Sequence, residues 1–157
     1  ARKLHPAYVP LFEFYLYTGL RRNEALKLEW KDVDFKRGIL TIRDTKARAS
    51  RIVPMLGPVR KILMARKYLV QPFSFQEDKV TKRYKASAVA ANIEDTELHD
   101  LRRAFGSYMV SKGIPPAFVQ QWMGHTDWSI TEEYYLGTPA EMWNKVASMD
   151  INLLSKN

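Results

Sequence analysis

The 157-residue sequence predicts an α+β fold, mostly helical, with one small antiparallel sheet. Two observations carry that expectation. Apolar residues recur at helical spacing in several stretches, most clearly from Glu97 to Lys112. Two short runs rich in β-branched residues, Ile39 to Arg43 and Arg51 to Met55, lie near each other behind a Lys36-Arg37-Gly38 turn. A chain of this size buries roughly 70% of its unfolded surface, enough for one core. With no repeat, low-complexity tract or internal boundary, residues 1–157 read as a single domain.

The elements follow in order. Leu11 to Leu20 is apolar enough for a buried helix, broken at Thr18-Gly19, and Asn23-Glu24 begins a short helix through Leu28. Val33 to Phe35, Ile39 to Arg43 and Arg51 to Met55 form the sheet, with Thr45 to Ser50 as its exposed basic loop. Pro58 to Val70 is an amphipathic helix, with proline in its first turn and Val59, Ile62, Leu63 and Leu69 on its apolar side. Ser74 to Thr81 reads as loop and Ala86 to Ala91 as a short helix. Leu98, Leu101, Phe105, Tyr108 and Met109 then mark the helix from Glu97 to Lys112, stopped by Gly113. Pro115-Pro116 opens another helix ending at Gly124. Asp127 or Ser129 caps a short helix carrying Tyr134 and Tyr135. Thr138-Pro139-Ala140-Glu141 has the form of a capping box, before the stripe Met142, Val146 and Met149.

Composition narrows the chemistry. Without cysteine there is no disulfide scaffold, thiolate zinc site or cysteine nucleophile, and the three histidines share no metal-ligand spacing. No run is long and apolar enough to suggest a membrane span, and no signal peptide is read at the N-terminus. The chain opens on Ala1 rather than Met, as an excised segment of something longer does. Its net charge of +8 is concentrated: Lys36 to Lys67 holds ten basic residues and one acid, Asp44. Clustered bases can neutralise several phosphates and release their counterions, so an anionic partner such as nucleic acid is expected.

Individual candidates are unremarkable. On a helical wheel Arg102 falls at the edge of the apolar stripe, where an unpaired guanidinium is costly, and His99 lies at i−3 to it. Gly124-His125 has the form of a helix end followed by a turn residue. Taken singly, each has an ordinary structural explanation.

Together they form an ordered set: Thr18-Gly19-Leu20-Arg21-Arg22-Asn23-Glu24, Lys46 in a turn between strands, His99-Asp100-Leu101-Arg102, Gly124-His125, and Tyr134 nine residues beyond His125. This set resembles the catalytic domain of the tyrosine recombinase (phage integrase) family, from about Leu11 to Gly137. Tyr135 adjoins the expected nucleophile and is the alternative to it. Arg22 and Arg103 likewise duplicate the box arginines Arg21 and Arg102.

The resemblance implies catalytic roles for Arg21, Lys46, His99, Arg102, His125 and Tyr134. Two guanidiniums are suited to a scissile phosphate, offering planar forks and permanent charge where negative charge develops. His99 serves as base or phosphate donor, Lys46 as general acid to the departing 5′-oxygen, and His125 as a further donor. Glu24 orients the first arginine box from behind. The product is a 3′-phosphotyrosyl link with a free 5′-hydroxyl, without metal or other cofactor. Arg22, Arg43, Arg48, Arg51 and Arg103 are the expected DNA contacts. The partners implied are double-stranded DNA and further copies of the recombinase, as a tetramer on two sites, in a prokaryotic or phage-infected cytoplasm. Residues 138–157 pack on their own core or dock on a neighbouring protomer. The family's usual upstream DNA-clamping domain has no counterpart here. Two other readings stand beside this one: a noncatalytic basic DNA-binding module, and a DNA-relaxing enzyme of the type IB topoisomerase kind.

Overall fold

The computed structural model describes residues 5–44, 49–93, 95–124 and 146. Its fold is mostly helical with a three-stranded antiparallel sheet, as the sequence predicts. Helix α1 (Val9–Thr18) lies at the centre, with Leu11, Phe14 and Tyr15 essentially inaccessible, and it packs against α5 (Leu98–Ser111) and α3 (Gly57–Arg66). It stops at Gly19, whose φ of 62° is left-handed and whose N–H donates to the Tyr15 carbonyl. A Cβ at Gly19 would lie 2.4 Å from Phe105 Cδ1, so α5 approaches α1 closely because this residue has no side chain.

Short helix α2 (Arg22–Leu26) leads to the sheet β1 (Val33–Asp34), β2 (Ile39–Asp44) and β3 (Ala49–Pro54). The pairing runs β1-β2-β3, with Leu40 opposite both Val33 and Val53, and Ile42 opposite Arg51. Leu40, Ile42 and Val53 are buried, whereas Ile52 on the other face of β3 is exposed, the alternation a half-buried strand requires. Helix α6 (Pro116–Met123) begins on proline, buries Phe118, Val119, Trp122 and Met123, and ends at the left-handed Gly124.

Several boundaries differ from expectation: α1 begins at Val9 rather than Leu11, and Ala49 and Ser50, expected in the loop, already belong to β3. Residues 77–81, expected as loop, begin a 14-residue helix, α4 (Glu77–Ala90), which also absorbs the short helix expected at Ala86 to Ala91. Only Val80 of α4 is fully buried, so its hydrophobic period is faint. Glu77 and Asp78 nevertheless complement the helix dipole, and Lys, Arg and Ala favour helix. Helix α3 ends at Arg66 rather than Val70: Tyr68, Leu69 and Val70 are exposed, so no core face sustains another turn. The Leu69 carbonyl instead accepts from Trp30 Nε1. Helix α2 stops at Leu26, two residues early.

The helices expected around Tyr134 and Thr138 lie outside the described residues, except that Val146 is helical and buried in the hydrophobic cluster. Among the described residues no helix is long and apolar enough to cross a membrane.

Candidate active site

The first arginine is set by local structure. Thr18 Oγ1 donates to the Phe14 carbonyl and accepts from Leu20 N–H, closing the end of α1 behind Gly19. Arg21 then adopts an extended conformation as the N-cap of α2, and its N–H donates to Glu24 Oε2 at 2.8 Å. Arg21 Nη1 donates to Glu24 Oε1 at 3.1 Å. The box therefore folds onto its own glutamate.

The second arginine comes from α5, whose start is fixed by Glu97 N–H donating to Asp100 Oδ2. Arg102 is buried, as its place beside the apolar stripe requires, and its charge is offset by carbonyl partners. Nη1 donates to the Gly19 carbonyl at 2.6 Å and Nη2 to that of Met123.

A third arginine completes the cluster. Arg51, expected as a DNA contact, is instead buried, with 9% of its surface accessible. Strand alternation is the reason, since Arg51 shares the inward face of β3 with Val53, two residues on. Its Nε donates to the Trp122 carbonyl at 2.8 Å and its Nη2 to Glu24 Oε2 at 2.7 Å. Arg21 Nη2 donates to the Gly124 carbonyl at 2.7 Å. The successive carbonyls of Trp122, Met123 and Gly124, which a helix C-terminus leaves without intrahelical partners, are thus each taken by a different arginine.

Arg21, His99 and Arg102 line one cavity of about 440 Å³, together with Tyr15 of α1 and Thr81, Tyr84 and Lys85 of α4. Burial and the neighbouring Arg21 and Arg51 charges push the Arg102 guanidinium down to about 10, against the opposing pull of Glu24. It remains charged at neutral pH. Burial pushes the Glu24 carboxyl up, but the hydrogen bond and charge of Arg51, joined by Arg21, outweigh it and hold the group below the usual glutamate range. Burial also drives the Tyr15 phenol well above the ordinary tyrosine value, and its hydroxyl donates to the Arg22 carbonyl. Tyr15 therefore stays protonated in the cavity wall.

The remaining expected residues divide into two groups. Arg22 is committed to α4, donating to Thr81 Oγ1 at 2.8 Å and to Glu77 Oε2 at 3.0 Å. Arg43 lies 2.6 Å from buried Asp32 Oδ1, and exposed Arg103 lies 3.3 Å from Asp100 Oδ1. Each of these three is thus already paired with a carboxylate. Lys46, Arg48, His125, Tyr134 and Tyr135 lie outside the described residues. Sequence reasoning missed the contribution of α4 to the cavity; Val80 and Tyr84, four apart, are the signal that places its inward face.

The phage integrase family model matches residues 4–141, nearly the whole chain. The chain belongs to the phage integrase family. Among relatives in this family, the prophage integrase IntF of Escherichia coli (strain K12) is 30% identical over 143 residues, covering 83% of this chain and 30% of that protein. The tyrosine recombinase XerA of Pyrococcus furiosus is 30% identical over 131 residues, covering 74% of this chain and 46% of that protein. Two solved structures share the fold. A XerA recombinase matches with a TM-score of 0.63 and 23% identity, over 92% of this chain and 60% of that one. The lambda integrase catalytic core matches with a TM-score of 0.64 and 16% identity, over 79% of this chain and 86% of that one. The chain spans half or less of the length of these curated relatives.

Proposed function

We propose that this chain is the catalytic core of a site-specific DNA recombinase that cleaves and rejoins strands through Tyr134. The observation that supports it best is the convergence of Arg21, His99 and Arg102, from separate elements, on one cavity, with Glu24 behind the arginines. Each guanidinium has five N–H donors, and in Arg21 and in Arg102 two of these are used in bonds among the described residues. The others remain for a phosphate's nonbridging oxygens.

In the proposed reaction the Tyr134 hydroxyl loses its proton as its oxygen bonds to the scissile phosphorus. The bond to the 5′-oxygen breaks, and Lys46 gives that oxygen a proton. His99 assists as base or as donor to the phosphate, and His125 adds a second donor. Arg21 and Arg102 stabilise the charge that develops, which metal ions do in other phosphoryl-transfer enzymes. Attack by a 5′-hydroxyl on the 3′-phosphotyrosine reverses these steps, and strand exchange results when that hydroxyl comes from a second duplex. The partners are double-stranded DNA and three further copies of the protein on paired sites, in a prokaryotic or phage-infected cytoplasm.

A nicked suicide duplex whose cleaved end diffuses away tests the proposal in the full-length protein. A covalent adduct should accumulate in the presence of a chelator, and Tyr134→Phe should abolish it. Loss with Tyr135→Phe instead moves the nucleophile by one residue. A full-length protein that never attaches to its cognate DNA is a binding module rather than a recombinase.

A further inference from the structure

We propose that Arg51 is a positioning residue for strand cleavage: its buried guanidinium clamps Glu24 to the end of α6 and thereby fixes Arg21 and the chain entering His125. The inference rests on the recombinase reading above, but its structural half stands apart from that reading. Arg51 bonds Glu24 through Nη2 and, through Nε, the Trp122 carbonyl in the last turn of α6. Glu24 holds Arg21 from one side, and Arg21 reaches back to the Gly124 carbonyl from the other. The result is a closed circuit from β3 through α2 to the residue that immediately precedes His125. A planar fork spans two acceptors at fixed separation, which a single ammonium does not.

The fit is close. Gly124 is left-handed, and a Cβ there would lie 2.7 Å from Arg51 Cζ, so the guanidinium occupies the space that this glycine leaves open. The charged groups that face Glu24 among the described residues are Arg21 at the head of α2, Arg51 of β3 and Arg102 of α5. Of these, Arg51 does most to keep the half-buried carboxyl ionised, ahead of Arg21. Without Arg51, the strongest of the influences that hold this carboxyl ionised is gone. Glu24 then takes up a proton at a higher pH, loses its grip on Arg21, and gives cleavage an acid-sensitive limb.

The test uses the full-length protein and three variants: Arg51→Lys, Arg51→Met and Gly124→Ala, the last of which crowds Arg51 without altering it. The Glu24 carboxyl is titrated by carbon NMR, assigned by its loss in Glu24→Gln. Single-turnover adduct formation on the suicide duplex is followed from about pH 5 to 8. We expect the Glu24 titration to move upward in all three variants. Adduct formation should fall about 10- to 100-fold, as misplacement of a reacting group by an ångström does. The loss should deepen as pH falls, while duplex affinity changes little. In Arg51→Met combined with Glu24→Gln the acid limb should vanish. Should Arg51→Met fail to fold, Arg51→Lys carries the test. An unshifted Glu24 titration, or variant rate profiles parallel to the wild type, overturns the proposal. A wild-type protein that forms no adduct while its Glu24 titration does move in the variants overturns the recombinase reading and leaves the Arg51 clamp standing.

Discussion

Substituting Gly19 by alanine probes the contact that brings α5, and with it Arg102, against the end of α1. Two costs arise, and the structure separates them. Gly19 has φ 62°, and a non-glycine residue in the left-handed region costs about 1–2 kcal/mol. The new Cβ would also stand 2.4 Å from Phe105 Cδ1 and 3.0 Å from Cγ. Phe105 is fully buried, so its ring has no solvent to move into, and overpacking of this kind costs about 1–3 kcal/mol. Gly38→Ala is the control, since Gly38 has φ 68° but nothing within 4 Å of the added carbon. Gly19→Ala should therefore be less stable than Gly38→Ala by about 1–3 kcal/mol in urea denaturation, or by roughly 3–10 °C in melting temperature for a chain of this size. Arg102 lies one turn before Phe105 and donates to the Gly19 carbonyl, so adduct formation should fall in Gly19→Ala and not in Gly38→Ala. Equal destabilisation by the two substitutions would refute the close approach and the alignment of Arg102 argued from it.

Other expectations follow from the same network. Arg102→Lys keeps a charge but cannot serve the Gly19 and Met123 carbonyls and a phosphate together, so single-turnover cleavage should drop about 100- to 1000-fold with weaker loss of DNA affinity. Glu24 is held below the usual glutamate range, so its contribution to stability is complete above the unfolded value near 4.5 and is lost as pH falls through the lower folded value. Melting temperatures measured from about pH 6 down to 3 should show a decline that Glu24→Gln flattens. Val80→Ala removes the one fully buried side chain of α4 and should cost about 2 kcal/mol in denaturant midpoint with an unchanged slope, while Lys82→Ala, on the exposed side, should be nearly neutral.

The sequence by itself determined the elements whose period is strong and the order of the functional boxes. The stripe through Leu101, Phe105 and Met109 located α5 and put Arg102 at its buried edge, where the structure finds it. Runs rich in β-branched residues located β2 and β3, and the alternation of side chains along β3 turns Arg51 inward with Val53. These are local matters of side-chain spacing along a helix or strand. Helix α4 escaped because a helix resting on one buried valine barely differs, in pattern, from a polar loop.

Only the tertiary structure decided which basic residues meet. Arg21 and the Gly124 carbonyl are 103 positions apart, Arg102 and Gly19 are 83, and Arg51 and Trp122 are 71. Composition treats these arginines as interchangeable with the other basic residues of the chain. Packing distinguishes them, because a buried guanidinium persists only where carbonyls or a carboxylate meet it, and those acceptors are supplied by the end of α6 and by Glu24 once the helices have closed around α1.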